Sequence, residues 1–234
     1  MKIELFGDDI GSVEYISHMG DDLSVVNAAR VSFGSERDSI NEKDVKLIKY
    51  LMQHNHTSPF EHCTVTMRFV VPLYIRSQHH RHRTWAYNEI SRRYTSVDIE
   101  FYEPQGFRTQ HKSNRQASSE EIINPELGNS YSGLIPKTLY TACSAVRDHH
   151  LRSVKLYNQL LEGGVCREQA RGVLPQNLYT QYYGTVNLHN LLKFVALRTH
   201  EGAQWEIQQV AKACLKIAEA HFPESVKAFR EKRT

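Results

Sequence analysis

Apolar residues recur at helical spacing through much of the second half of this chain, and this pattern constrains the fold more than any other feature. The longest run follows Pro136 and is closed by Gly163-Gly164, so it predicts a long helix with one buried face. Shorter helical patterns cover 167–172, 188–197, 203–220 and 224–230. A helix-rich domain is therefore expected. The apolar positions of the longest run are Leu139, Cys143, Val146, Val154, Tyr157 and Leu161.

The first half of the chain adds strands and one further helix. Residues 64–71 alternate between apolar and polar side chains, which predicts a half-buried strand, and MKIELF at the N-terminus predicts a short one. A helix is expected from Asn41, which forms a capping pattern with Asp44. Together these patterns predict an α+β fold, a helix-rich single domain over 1–234 with a small antiparallel sheet. The polar stretch 109–133 is expected to be a surface excursion from it.

Size and composition indicate an ordinary globular protein of 234 residues. The formal net charge is only +3, which is small for a protein that coats nucleic acid. The four cysteines are far apart and form no CxxC pair, as is typical of reduced thiols in the cytosol. Neither a signal peptide nor a membrane-spanning apolar run is visible, so we expect a cytoplasmic protein without a membrane partner.

Familiar cofactor and catalytic motifs are missing from the sequence. No GxGxxG, GxxxxGK[ST] or HExxH motif occurs, so neither a Rossmann cradle nor a P-loop is predicted. His54, His56 and His62 lack carboxylate or cysteine partners at familiar spacing, and no metal site is predicted. Ser91 lies outside any G-x-S-x-G elbow, which leaves a polar ligand contact or a helix cap as its better interpretation.

One short segment, RHRTWAYNEISRRY at 81–94, collects four arginines. Such a run is usually a solvated face, but guanidinium groups also donate paired hydrogen bonds to phosphate and carboxylate oxygens. Asn88 and Glu89 lie within the run and supply acceptors that would orient those groups. Arg198 follows the apolar run LLKFVAL, so its stem is expected to start in packed surroundings. The residues favour an anion site, and the small net charge favours a nucleotide phosphate over a long polyanion.

Two other functions remain open from the residues alone. A nucleic-acid-binding module would use the same basic segment and stack bases on Trp85, Tyr87 and Tyr94. A metal-dependent hydrolase would use the histidines and hold stoichiometric metal after purification. The modest charge argues against the first, and the missing ligand spacing argues against the second.

An ordered set of motifs resembles the flavin-dependent thymidylate synthases. The signature of that family, Arg-His-Arg followed after seven residues by Ser, stands here as Arg81-His82-Arg83 and Ser91. The resemblance covers most of the chain in order and leaves mainly 109–133 unmatched. The flanking matches are NAARVSF at 27–33, HTSPFEH at 56–62, VLPQNLYT at 173–180 and AQWEIQQ at 203–209.

The resemblance implies reductive methylation of dUMP to dTMP. Methylenetetrahydrofolate would supply the carbon, and FAD reduced by NADPH would supply the hydride, without a cysteine nucleophile. Activation of the uracil would be electrostatic, with Arg198 as the catalytic residue placed against the ring. The family also implies a homotetramer with active sites shared between subunits, and no nucleic acid partner.

Carried over by position, the resemblance assigns two overlapping sets of ligand contacts. Within the nucleotide set, Arg93 and Arg171 would neutralise phosphate. The FAD set is Ser32, Ser58, Glu61, Arg81, His82, Arg83, Asn88, Glu89, Asn187 and His189. The dUMP set is Gln78, Arg81, Glu89, Ser91, Arg93, Arg171 and Arg198.

Several positions depart from the family pattern. His79 and His80 stand where relatives often carry bulky aromatic residues, so any stacking there must come from imidazole. His189, Lys193 and Gly202 stand where relatives can have Arg, Asn and His against the flavin. The affinity for flavin is therefore expected to be sensitive to these three positions.

Overall fold

The computed structural model describes residues 1–95, 99–127 and 140–233. The chain divides into two compact units. The first unit comprises Met1–Val70, Ser77–Glu89 and Gln181–Thr234, and the second comprises Val71–Arg76 and Ile90–Thr180. All residues of the FAD set belong to the first unit, whereas the dUMP set is divided between the two units.

Nine helices and two sheets are found in the described residues, so the expected helix-rich α+β fold with a small antiparallel sheet is confirmed. One sheet has the order β1-β2-β3-β7-β4 and the other pairs β5 with β6. No helix within the described ranges is long and apolar enough to cross a membrane. The helices are α1 (Asp22–Arg30), α2 (Glu42–Gln53), α3 (Ser58–Glu61), α4 (Leu73–His79), α5 (Ala142–Glu162), α6 (Arg167–Ala170), α7 (Leu188–Arg198), α8 (Trp205–His221) and α9 (Pro223–Arg233). The strands are β1 (Lys2–Glu4), β2 (Ser12–Met19), β3 (Thr64–Pro72), β4 (Ala86–Glu89), β5 (Phe107–Gln110), β6 (Ser118–Ile123) and β7 (Tyr179–Asn187).

The alternation in β3 places its apolar side chains in the core of the first unit. Val65, Met67 and Phe69 are fully buried, as the period of two predicted. In the neighbouring strand β7, a Cβ on Gly184 would lie 2.9 Å from Cε2 of Phe69 and 3.1 Å from Cε3 of Trp85. Glycine therefore allows two aromatic rings to pack directly on the backbone of β7.

Side-chain caps stabilise the first turns of several helices in the first unit, among them α2 and α9. Asn41 accepts from the backbone N–H of Asp44, and Asp44 accepts from the backbone N–H of Asn41, which confirms the predicted capping of α2. The first turn of α9 is capped from a distance by the buried carboxylate of Asp22 in α1. Asp22 accepts from the backbone N–H groups of Glu224 at 2.8 Å and Ser225 at 3.0 Å. This contact joins α1, near the N-terminus of the chain, to α9, near its C-terminus.

The second unit is built around α5. Thr141 caps this helix by accepting from the backbone N–H of Ser144 at 3.4 Å. The predicted start of the helical pattern at Leu139 lies outside the described residues. Tyr157 of α5 packs with Ala170, Leu174 and Leu178 in the buried core of this unit.

Part of the polar stretch 109–133 has regular structure, which its sequence pattern did not predict. Strands β5 and β6 pair antiparallel, with Phe107 opposite Ile123 and a shift of register after Arg108. Most of β6 is exposed, so its sequence SSEEII shows no alternation between apolar and polar residues. Residues 128–133 lie outside the described part of the chain.

Candidate active site

The Arg-His-Arg signature forms the turn that connects α4 to β4. The backbone N–H of His82 donates to the carbonyl oxygen of His79 at 3.0 Å. The hydroxyl of Tyr87 donates to the same carbonyl at 2.9 Å and lies 3.2 Å from the carbonyl oxygen of His82. Arg81 and Arg83 are exposed on either side of the half-buried His82. The turn thus separates one inward-facing imidazole from two outward-facing cations.

Arg198, the last residue of α7, donates one hydrogen bond to this turn and one to the end of α4. Its Nε donates to Nε2 of His82 at 3.0 Å, and its Nη2 donates to the carbonyl oxygen of Gln78 at 3.3 Å. Neither acceptor is a carboxylate, so neither neutralises the guanidinium. Burial lowers the pKa of Arg198 from its ordinary value. The result is a half-buried cation whose orientation is determined by neutral groups.

His82 is uncharged near neutral pH. Burial, followed by the nearby charges of Arg198 and Lys193, lowers the pKa of His82 from 6.5 to about 4. Because Nε2 accepts a hydrogen bond from Arg198, the single ring proton resides on Nδ1. The imidazole therefore orients the cation, and the charge of Arg198 adds to burial in keeping this imidazole neutral.

Gln78 links the signature turn to the AQWEIQQ motif. Its side-chain amide donates to Oε1 of Gln204, and Nε2 of Gln204 donates to Oε2 of Glu206 at 3.0 Å. Glu206 is buried in the first turn of α8. Gln78, three residues before the signature, is therefore in direct contact with the AQWEIQQ motif, which lies far away in the sequence.

A pocket of about 250 Å³ lies in the first unit, where α2, α3, α7 and α9 meet. Phe60, Leu192 and Phe229 supply apolar walls, and His189 and Lys193 also line it. Burial lowers the pKa of His189, so this imidazole is biased toward its neutral form. No aspartate or glutamate among the described residues lines the pocket. Its chemistry suits a ligand with an apolar ring and a negative charge.

Lys232 and Arg233 also line this pocket, and the sequence analysis missed them. Lys232 Nζ donates to the carbonyl oxygen of Met52 at 2.8 Å, and Arg233 Nη2 donates to that of Ala196 at 3.3 Å. These bonds hold both cations at the rim. In the sequence they are two of several cations in the last helical pattern, and nothing in their spacing separates them from a solvated face.

The remaining residues of the FAD set lie mostly on the surface of the first unit. Asn187 caps α7, because its Oδ1 accepts from the backbone N–H of Asn190 at 2.9 Å. Ser32 is flanked by Val31 and Phe33, whose side chains are 74% and 85% exposed. Several members of the set are exposed or half-exposed, among them Ser32, Ser58, Glu61 and Asn88.

Three residues of the dUMP set lie together in the second unit, around Glu168. Nη2 of Arg93 lies 3.4 Å from Oε2 of Glu168, and Nε of Arg171 donates to the carbonyl oxygen of Glu168 at 3.3 Å. The hydroxyl oxygen of Ser91 accepts from the backbone N–H of Arg93 at 3.3 Å. Both arginines are exposed. Two cations and a hydroxyl of the dUMP set are thus grouped together with the carboxylate of Glu168.

Two of the four cysteines are poorly suited to thiolate chemistry at neutral pH. The four cysteines are free thiols. Burial raises the pKa of Cys63 to about 12, and burial also raises that of Cys214. Among the described residues, no three histidine, cysteine, aspartate or glutamate side chains form a group that could hold a metal ion.

Comparison with known proteins decides the family. The family model described as "Thymidylate synthase complementing protein" matches residues 14–224. A flavin-dependent thymidylate synthase of Thermus thermophilus is 42% identical over 223 residues, which cover 95% of this chain and 77% of that protein. The chain belongs to the flavin-dependent thymidylate synthases. The Thermotoga neapolitana protein of the same name is 41% identical over 229 residues, covering 98% of this chain and 94% of its own length.

Solved structures agree with this assignment. A structure of the UMP/dUMP methylase PolB from Streptomyces cacaoi, bound with 5-Br dUMP, has a TM-score of 0.77 and 31% identity. The match covers 98% of this chain and 97% of PolB. As a flavin-dependent thymidylate synthase, the chain is an enzyme, a flavoprotein and a methyltransferase. The resemblance inferred from the motifs is therefore confirmed.

Proposed function

We propose that this enzyme methylates dUMP to dTMP, with methylenetetrahydrofolate as the carbon donor and FAD reduced by NADPH as the source of hydride. The observation that carries the proposal is the guanidinium of Arg198, which His82 and the carbonyl of Gln78 hold without a carboxylate. The names of the relatives support a uracil nucleotide as the substrate, since PolB is described as a UMP/dUMP methylase.

Arg198 would act electrostatically on the uracil. Methylation at carbon 5 requires the ring to become nucleophilic, and negative charge then develops on its imide. A cation oriented in advance stabilises that charge without reorganising at the moment of reaction. The partial burial of Arg198 strengthens the effect, because electrostatic attraction grows as water is excluded. The raised pKa values make Cys63 and Cys214 poor nucleophiles, in keeping with a reaction that uses neither thiol.

Arg93 and Arg171 would bind the phosphate of the nucleotide. The 3.4 Å separation between Arg93 and the carboxylate of Glu168 is long for an ion pair, and both side chains are well exposed. Exposed pairs of this kind contribute little to stability, so a phosphate dianion would compete effectively for Arg93. Ser91 would add a hydroxyl contact to the same ligand.

The residues of the first unit fit FAD. A flavin dinucleotide combines aromatic rings with a diphosphate, and the pocket combines apolar walls with Lys193, Lys232 and Arg233. The FAD set assigned by the family resemblance would hold the remainder of the cofactor. When bound, FAD would supply the redox chemistry of the reaction. His82 belongs to this set and also supports Arg198, so it would connect the cofactor to the substrate.

We also infer that the enzyme assembles as a homotetramer with shared active sites and binds no nucleic acid. The exposed side chains of Val31 and Phe33 support an interface, because large apolar groups seldom cluster on a free surface. Light scattering during size exclusion should give four times the chain mass of 27.1 kDa. A monomeric mass at micromolar concentration would contradict the assembly.

The first test is a visible absorption spectrum of the purified protein, before and after anaerobic NADPH. A flavin spectrum that bleaches supports the proposed cofactors, whereas a protein that takes up no added FAD contradicts them. The second test follows dTMP by mass spectrometry with all cosubstrates present, using dUMP and UMP in parallel. Conversion of UMP but not of dUMP would identify UMP as the substrate instead. Conversion of neither nucleotide would overturn the proposed function.

A further inference from the structure

His79 is a buried histidine beneath the signature turn, and the proposed reaction leaves it without a role. It is fully buried, and its ring lies 4.5 Å from the Trp85 ring and 4.7 Å from the Phe194 ring. Its Nδ1 lies 2.8 Å from the hydroxyl oxygen of Tyr182, whereas its Nε2 has no hydrogen-bond partner within the described part of the chain. Burying a polar imidazole with one unpaired ring nitrogen costs free energy. The presence of His79 at this position, with its ring hydrogen-bonded only to Tyr182 among the described residues, therefore requires an explanation.

The surroundings of the His79 ring determine which group donates the hydrogen bond between His79 and Tyr182. If the Tyr182 hydroxyl donates to Nδ1, the ring proton sits on Nε2, and a buried N–H among aromatic rings such as Trp85 and Phe194 can make weakly favourable contacts with them. The reverse arrangement would bury a bare nitrogen lone pair among the same rings. Burial, followed by the nearby His82, His80 and Arg198, holds the pKa of His79 well below its ordinary value. The ring is therefore neutral and adds no second charge beside Arg198.

The backbone of His79 connects this bond to the active site. Its carbonyl oxygen accepts from the backbone N–H of His82 at 3.0 Å and from the hydroxyl of Tyr87 at 2.9 Å. The preceding residue, Gln78, supplies the carbonyl that accepts from Arg198 at 3.3 Å. A displacement of His79 would therefore move both acceptors of Arg198 together.

We propose that His79 and Tyr182 form a positioning pair, which holds the signature turn so that His82 and Gln78 present their acceptors to Arg198. The consequence for turnover rests on the proposed function, because it requires Arg198 to act on the nucleotide. The positioning itself is measurable without turnover. It predicts that the hydroxyl of Tyr182, in a strand distant along the chain from the signature turn, controls the contact between His82 and Arg198.

Simple packing is the competing explanation, and the chain offers a substitution that separates the two. The ring of Tyr182 stacks on Phe69 at 5.0 Å between centroids, with 12° between the planes. The variant Tyr182→Phe keeps this stack and removes only the hydroxyl. The matched control is Tyr183→Phe, which removes a hydroxyl from the next residue, where the side chain is 43% exposed.

The test measures the pKa of His82 in the full chain by NMR, with histidine labelled at carbon ε1 and His82→Asn used for assignment. In Tyr182→Phe we expect this pKa to rise by about one unit, since Arg198 no longer holds its place beside the ring. For dUMP, kcat should fall about three- to tenfold while KM stays within about twofold. Tyr183→Phe should match the wild type in both. A His82 pKa and a kcat equal to those of the control would overturn the proposal.

A second variant, His79→Phe, removes the other half of the pair while filling the aromatic site. It should reproduce the effects of Tyr182→Phe, and the double variant should lose little more than either single variant. Additive losses would show that the two residues act separately and would also overturn the proposal. If the wild type forms no dTMP, the proposed function fails, but the His82 pKa still decides whether the pair positions Arg198.

Discussion

Nε of Arg198 lies 3.0 Å from Nε2 of His82, although the two residues are 116 positions apart in the chain. The relationship joins a catalytic candidate to the middle residue of the family signature. It is also reciprocal, because the guanidinium adds to burial in lowering the pKa of the imidazole that accepts its hydrogen bond.

Replacing Arg198 by alanine should abolish detectable dTMP formation while FAD remains bound. Removing one preorganised group that stabilises developing charge costs about a hundredfold or more in kcat. Turnover and the flavin absorbance would be measured on the same samples. Arg230→Ala is the matched control, because Arg230 is an exposed arginine paired with Glu219 and lies outside the proposed site. Full activity in Arg198→Ala would remove Arg198 from the mechanism.

The stability of the protein should fall as the pH drops from about 6.5 to about 4, in part because of His82. The pKa of His82 is about 4 in the folded chain, against 6.5 for an unperturbed histidine, so the unfolded chain binds the proton first. The contribution of neutral His82 to the stability of the folded chain is therefore complete above pH 6.5 and is lost on acidification. Urea unfolding should show a shallower pH dependence for His82→Asn than for the wild type or the exposed-site variant His62→Asn. Equal slopes in all three would contradict the neutral state of His82.

Ser91→Ala should weaken nucleotide binding without changing the chemistry. The Ser91 hydroxyl accepts from the backbone N–H of Arg93 at 3.3 Å, so it lies beside an arginine that is proposed to bind the phosphate. Loss of one such contact should raise KM for dUMP about fivefold. The substitution Ser113→Ala, in the loop between β5 and β6, should leave KM as in the wild type. A nucleotide adduct on Ser91, found by intact mass spectrometry of the wild-type enzyme, would instead identify a nucleophile.

Gly184→Ala should destabilise the first unit by about 1–3 kcal/mol through overpacking. The added Cβ would lie 2.9 Å from a ring carbon of Phe69, which is fully buried and cannot easily move. Urea denaturation gives the change in the free energy of unfolding. Gly172→Ala is the control, since a Cβ there would meet no described atom within 4 Å. Similar losses in both variants would show that backbone effects, rather than the contact with Phe69, set the cost.

Features that depend on neighbouring residues were predictable from the sequence. The alternation of 64–71 indicated β3, because burying one face of a strand imposes a period of two. Asn41 and Asp44 indicated the start of α2, because a capping box is completed within a single turn. The motifs identified the family for a similar reason, since each keeps its functional residues within a short segment. The β5–β6 hairpin escaped prediction because its strands are largely exposed and carry no such pattern.

What the sequence by itself determined was therefore the class of fold, the family and the identity of the residues that carry its signature. Only the tertiary structure decided which groups those residues meet. The partners of Arg198, the cations Lys232 and Arg233 at the pocket rim, and the bond between His79 and Tyr182 all join distant segments. The physical reason is that periodicity reports which face of an element is buried, whereas a hydrogen bond requires two particular atoms to meet within about 3 Å. That meeting depends on how whole elements pack, and no local pattern records it.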